Sequence, residues 1–150
     1  ALSTLRIEMG HIAGSELDGR TIPYDNSLEG LVSKKKDFIG KRSLEREAFI
    51  AEDRQKVVGV VPIDKKTSIP EGSHLVKDAM APTPNPKLGY ISASCWSVEY
   101  DNPFSLAILK DGKNMIGQKL FAMSPLKNKT IPVEIVSSHY VDPKGERVRS

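Results

Sequence analysis

Val57-Val58-Gly59-Val60-Val61 is a β-branched run interrupted by one glycine, and it marks where this 150-residue chain changes character. Gly59 inside such a run points to a bulge or to a close backbone approach. Downstream, Leu88 to Ser94, Phe104 to Leu109, Lys119 to Met123 and Ile131 to Val136 read as further strands. In Phe104 to Leu109 the large residues Phe104, Leu106 and Ile108 alternate with Ser105 and Ala107, as in a strand with one more buried face. Pro70-Glu71-Gly72 fits a type I turn with Pro70 in its second position and Gly72 in its fourth, and Asp111-Gly112 supplies another turn. Pro82, Pro84 and Pro86 make Ala79 to Pro86 an expected extended loop. Several short strands separated by turn signals argue for a sandwich or a barrel.

Upstream of Asp53 the pattern is mixed. Leu2, Leu5 and Met9 follow helical spacing and Gly10 suits the end of that helix. A chain that opens inside a helix is expected to be a piece of something longer. Leu28 to Ser33 reads as a strand weakened by Gly30, and Gly40 to Ile50 as a helix with Leu44, Ala48 and Ala51 at helical spacing. The expected class is therefore α+β.

Composition excludes several functions. Hydrophobic residues make up 39% and charged residues 27%, which suits a soluble globular chain. No stretch approaches the ~20 apolar residues of a membrane span. No charged segment followed by an apolar one suggests a signal peptide, so the expected location is cytoplasmic. The net charge of +3 is too small to argue for nucleic acid, and residues 1–55 carry nine basic and ten acidic groups against thirteen and nine in the remainder. The single Cys95 has no internal disulfide partner and reads as a buried structural thiol. His11, His74 and His139 lie far apart without ligand spacing, so no metal site is expected.

Two charged groupings stand out. Lys34-Lys35-Lys36 reads either as a solvated strand end or as an anion clamp for a carboxylate or phosphate. Arg6 and Glu8 read as a surface pair worth under ~1 kcal/mol. Trp96 is expected to pack in the core.

The ordered set of short motifs carries more than any one of them. Leu5-Arg6-Ile7-Glu8-Met9-Gly10 precedes Thr21-Ile22-Pro23, Leu28 to Val32, and Lys34-Lys35-Lys36-Asp37-Phe38-Ile39-Gly40-Lys41. This order resembles the aminomethyltransferase family, with its L-R-x-E-x-G motif, T-x-P turn, and basic strand end leading into D-F-x-G. Lys56 to Val60, Pro70 to Gly72, Leu88 to Ser94 and Phe104 to Ala107 resemble that family's C-terminal barrel, so the resemblance covers nearly the whole chain. Within the family, Val32 to Lys36, Ser94 to Ser97 and Tyr140 to Arg147 are similar to the sarcosine oxidase branch.

The resemblance implies that residues 1–52 are the C-terminal part of an α/β folate-binding region and that 56–150 are a small antiparallel β-barrel. It implies a folate-dependent one-carbon enzyme in which this chain supplies part of a tetrahydrofolate site. Glu8 takes the position whose carboxylate accepts hydrogen bonds from the pterin, whose amino group and ring N–H present paired donors. Lys36, within one residue, takes the basic position that holds the folate glutamate tail, though as a point charge without the fork of an arginine. Tyr140 lies where a C-terminal aromatic segment approaches the ligand. FAD, FMN and NAD are implied only for the whole enzyme, outside this chain. The family's acidic residue near the reacting amine also lies outside, so no catalytic residue is assigned and the chain alone is expected to be inactive. Upstream domains and other oxidase subunits are the implied partners, and apolar surface left open by them makes self-association an expectation. The alternatives are a glycine-cleavage aminomethyltransferase and a non-catalytic subunit-docking module. A local ion pair between Arg6 and Glu8 would favour the docking module.

Overall fold

A computed structural model describes residues 1–80 and 86–149 of the chain. The expected proline-rich loop falls mostly outside that range. Among the described residues, six antiparallel strands close into a barrel: β1 (Lys56–Pro62), β2 (His74–Val76), β3 (Gly89–Ser97), β4 (Asn102–Leu109), β5 (Lys119–Ser124) and β6 (Lys129–Val136). Around the barrel the order is β1-β4-β3-β2-β5-β6, with β6 pairing back onto β1. Closure removes every open sheet edge. The five strands read from the sequence are present, with ends that differ by up to three residues: β3 begins one residue later, at Gly89, and runs on to Ser97. The strand β2 had no signal, because its three residues begin with a polar His74 and are too few to show alternation.

The barrel interior holds Val58, Val60, Leu75, Ile91, Val133 and Ile135 among its buried residues. A second buried cluster lies outside the wall and contains Val57, Val61, Ala93, Phe104, Leu106 and Ile108, with Ile7 from the N-terminal helix. The two faces of β4 are therefore both buried, with every residue from Asn102 to Leu109 buried. The large alternating set Phe104, Leu106 and Ile108 lies in the outer cluster, while Ala107 and Leu109 belong to the interior. The sequence expectation of one more buried face is corrected here. A strand reads as half-buried only if its other face meets water, and the N-terminal segment covers that face.

A β-bulge in β3 between Ile91 and Ala93 shifts the register against β4. It sends Ile91 to the interior and Ala93 to the outer cluster, although two residues of regular strand would share one face. Gly59 is the close approach rather than the bulge. A Cβ there would lie 2.3 Å from the carbonyl oxygen of Ser137 and 2.7 Å from the Phe104 ring.

Upstream of the barrel, α1 spans Leu2–Glu8 and packs on β3 and β4. Leu28 to Ser33 forms no strand; Glu29–Leu31 is a single 3-10 turn, with Leu31 exposed and no neighbouring strand to pair with. The expected helix over Gly40 to Ile50 is two separate turns, α2 (Lys41–Leu44) and α3 (Glu47–Ile50). Arg46 is extended between them, with φ −64° and ψ 141°. Neither turn buries a residue, so nothing repays the entropy of a longer helix. The last helix, α4, is the turn Glu146–Arg149. The turn after Ile69 sits one residue later than expected. Ser73 N–H donates to the Pro70 carbonyl at 3.2 Å, and Gly72 at φ +76° takes the third position that a type II turn reserves for glycine.

The N-terminal segment is fastened to the barrel by Asp25 and Arg54. Arg54 donates from Nε to Asp25 Oδ1 at 2.6 Å and from Nη2 to Oδ2 at 2.9 Å, and Asp25 is 1% exposed. The Asp25 carbonyl accepts the Val57 N–H at 2.7 Å, at the entrance of β1.

Candidate functional site around Glu8

The end of α1 meets the barrel at the β3–β4 hairpin. Gly10 permits this contact. It has φ +69°, and a Cβ there would lie 2.6 Å from the Ser138 carbonyl oxygen. Glu8 is thereby buried, at 5% exposure. Its carboxylate Oε1 accepts from the Ser97 hydroxyl at 2.6 Å and from the Val98 N–H at 2.9 Å. Tyr100 N–H in turn donates to Ser97 Oγ at 3.3 Å. The backbone of Glu8 is held as well, since its carbonyl accepts N–H bonds from Tyr140 at 3.2 Å and Val141 at 3.0 Å. Among the described residues no donor reaches Oε2, and Oε2 is not sealed off: the one buried side-chain N or O atom without a partner is Asn26 Oδ1. The side chain therefore presents one committed oxygen and one uncommitted oxygen.

Arg6 does not pair with Glu8. Two residues apart on one helix, their side chains leave on different faces. Arg6 Nη1 lies 3.4 Å from Glu16 Oε2 and also donates to the His11 carbonyl. Glu16 is fully buried and takes further bonds from the Ala13 N–H and the Ser15 hydroxyl. The expected Arg6–Glu8 surface pair is thus replaced by an Arg6–Glu16 pair and a buried Glu8.

Tyr140 belongs to the same place. Its ring stacks on Phe104 with centroids 4.3 Å apart and planes 5° apart, and meets Tyr100 edge-on at 4.6 Å. Its hydroxyl accepts from Asn102 Nδ2 at 3.1 Å. Glu8 and Tyr140 are therefore brought together, through the Tyr140 N–H and the Glu8 carbonyl. Lys36 is not joined to them by any hydrogen bond or ion pair. It is exposed and lines a separate cavity of about 420 Å³ with Leu28, Leu31, Val32, Phe38 and Leu44. Its neighbour Lys41 folds back to donate to the Lys34 and Lys36 carbonyls.

Two sequence expectations about this hairpin are corrected. Trp96 is 47% exposed and donates from its indole N–H to Asp101 at 3.2 Å. It sits at the end of β3, beyond the packed wall, where the indole N–H needs a partner. Cys95 is half-buried against the outer cluster rather than sealed in the core. Burial and then the negative charge of Glu8 push its thiol up to about 11, against an opposing pull from Arg6. A raised value means less thiolate at any working pH. Cys95 is expected to react with iodoacetamide at pH 8 about a hundredfold more slowly than an ordinary exposed thiol. Glu8→Gln is expected to speed that reaction, and mass spectrometry of timed alkylation measures both rates.

Ser97, Val98 and Asn102 had no separate signal in the sequence. Ser97 and Asn102 read there as ordinary polar residues bordering a turn, and Val98 acts through its backbone.

No protein-family model matches the chain. Among characterised proteins, it is 36% identical over 148 residues to the sarcosine oxidase subunit alpha of Rhizobium meliloti (strain 1021), covering 98% of this chain and 15% of that protein. Against the sarcosine oxidase subunit alpha of Corynebacterium sp. (strain U-96), identity is 37% over 149 residues, covering 97% of this chain and 15% of that one. The aminomethyltransferase of Prochlorococcus marinus (strain NATL1A) is 28% identical over 110 residues, covering 71% of this chain and 27% of that protein. Among solved structures, the glycine cleavage system aminomethyltransferase T from Bartonella henselae superimposes with a TM-score of 0.72 at 21% identity, over 94% of this chain and 38% of that one. That likeness establishes the fold. The chain spans about one seventh of the length of the sarcosine oxidase relatives it matches. No helix among the described residues is long and apolar enough to cross a membrane.

Proposed function

The chain belongs to the aminomethyltransferase family, whose characterised relatives are enzymes, and on that premise we propose that it forms part of a tetrahydrofolate site in a one-carbon enzyme of the sarcosine oxidase alpha type. The observation that carries this reading is the buried Glu8 carboxylate, with Oε1 committed to Ser97 and Val98 and Oε2 uncommitted. Oε2 is not sealed off, since among the described residues the one buried side-chain N or O atom without a partner is Asn26 Oδ1, so a ligand with N–H donors can reach Oε2 and form charge-assisted hydrogen bonds to it. A pterin has such donors, so the residues present suit the group. Glu8 would hold the pterin, Tyr140 would flank it, and Lys36 would attract the carboxylate tail. Bound tetrahydrofolate would supply the atom that accepts the one-carbon unit. The contribution of this chain is binding and orientation. We assign it no proton transfer and no residues for a flavin or nicotinamide cofactor.

That Arg6 turns to Glu16 and leaves Glu8 to the hairpin favours this reading over a purely docking module. An aminomethyltransferase of glycine cleavage is the second reading, supported by the 28% relative. The side chains of Leu2, Leu5, Leu17, Leu31, Ile39 and Ile50 are exposed on the N-terminal segment. They are the surface we assign to contact with the rest of a longer polypeptide and with partner subunits.

The test uses the isolated chain beside the natural full-length polypeptide that carries it. In a tetrahydrofolate-dependent formaldehyde-transfer assay, turnover is expected only from the latter. Calorimetry is expected to give the isolated chain a folate affinity weaker than micromolar, and light scattering to show it self-associating. Turnover by the isolated chain would overturn the partial-site reading.

A further inference from the structure

We propose that Ser97 is a positioning residue for ligand binding: its hydroxyl, with the Val98 N–H, locks the Glu8 carboxylate so that only Oε2 faces a ligand. This rests on the reading of Glu8 as a folate-binding group and goes beyond it, by assigning the orientation of that group to the barrel. Four observations carry it. The Ser97–Glu8 bond is short, at 2.6 Å, and both residues are buried. It joins positions 89 residues apart, so no local helix geometry produces it. Both donors converge on one oxygen of the carboxylate, which fixes its last torsion instead of leaving two equivalent rotamers. Finally, the Ser97 hydroxyl is itself aimed. Its oxygen accepts the Tyr100 N–H at 3.3 Å, which leaves its proton for Glu8.

Ser97 and Val98, at the end of β3 and the turn that follows it, thereby become part of the binding machinery although neither side chain need touch the ligand. A carboxylate with both oxygens free is a two-acceptor surface that rotates. One with Oε1 held is a single acceptor at a fixed place, and a ligand whose donors match that place binds without paying to order it. Glu8 is held through its main chain as well, by the Tyr140 and Val141 N–H groups. Side chain and backbone are fixed by two different parts of the barrel domain.

The experiment measures affinity for 5-formyltetrahydrofolate, a stable reduced folate, by calorimetry on the full-length polypeptide, with melting temperature recorded for each variant. Ser97→Ala is expected to weaken binding about tenfold, the scale of one hydrogen bond to a charged group. Ser97→Thr, which keeps the hydroxyl, is expected to restore it. Ser94→Ala removes a hydroxyl from the same strand, one bonded to Ser105 at 2.9 Å and not to Glu8, and is expected to leave affinity unchanged. Glu8→Gln tests the underlying reading and is expected to weaken binding at least tenfold. If Glu8→Gln weakens binding and Ser97→Ala does not, the positioning role is wrong and the folate reading stands. If Ser94→Ala weakens binding as much as Ser97→Ala, the effect is one of general destabilisation and the positioning role is wrong. If the wild type does not bind or Glu8→Gln changes nothing, the folate reading fails. A crystal structure of Ser97→Ala without ligand then decides the positioning alone. The Glu8 carboxylate is expected to leave the Val98 N–H, and finding it in place would overturn the inference.

Discussion

Arg54→Ala is expected to destabilise the chain by about 3 kcal/mol, near the lower end of what breaking a buried ion pair costs. The loss comes less from the missing attraction than from what stays behind. Asp25 is 1% exposed, and without Arg54 both of its oxygens lose their charged donor. The Ile22 N–H at 3.1 Å remains a strong donor to Oδ2, and no comparable one remains to Oδ1. Arg54 also stacks its guanidinium 4.9 Å above the Phe49 ring and donates to the Ala48 carbonyl, so α3 loosens with it. At this chain length the change corresponds to a fall of about 10 °C in melting temperature, readable by calorimetry. The double variant Asp25→Leu with Arg54→Met is expected to recover more than half of the loss, because it removes both charges together. A fall of under 2 °C for Arg54→Ala would mean that the pair is solvated and does not fasten the N-terminal segment.

Phe104→Ala is expected to cost about 3–5 kcal/mol, as for other fully buried aromatic truncations. Phe104 is inaccessible, and three structural choices converge on its ring. Gly59 has no Cβ because the ring lies where one would be, Tyr140 stacks on it at 4.3 Å, and Ile7 of α1 shares its cluster. Chemical denaturation followed by intrinsic fluorescence measures the loss, and Phe104→Leu is expected to cost less by filling part of the volume. The consequence reaches the site. Tyr140 and Val141 hold the Glu8 backbone, so a ring that no longer supports Tyr140 lets the end of α1 move. Folate affinity is therefore expected to fall in Phe104→Ala even at temperatures where the protein remains folded. A loss below about 1 kcal/mol would show that the outer cluster repacks, contrary to the rigid-wall picture.

The two variants probe opposite attachments of one N-terminal segment. Arg54 fastens it where β1 begins, and Phe104 supports it where β4 begins. Between these points the segment makes the outer face of β1 and β4 as dry as the barrel interior.

Much of this was legible in the sequence. Val57 to Val61, Phe104 to Leu109 and Ile131 to Val136 announce strands because β-branched and aromatic residues at period two fit a pleated wall whatever surrounds it. Leu2 to Gly10 announces a helix and its end, and the L-R-x-E order picks out Glu8. What the residues alone left undecided is everything that depends on a second surface. Phe104, Leu106 and Ile108 alternate identically whether they face the inside or the outside of the barrel, and their cluster with Ile7 of the covering segment is what places them outside. Leu28 to Ser33 and Gly40 to Ile50 had local propensity for strand and helix but no partner against which to bury it, so they closed into single turns. Arg6 and Glu8 are two residues apart in the chain, yet their partners are Glu16 and Ser97, ten and 89 residues away. The sequence by itself singled out Glu8, Lys36 and Tyr140 as candidates. Which of their atoms are free was decided by tertiary structure, because hydrogen bonds and burial are set by whatever the folded chain brings alongside.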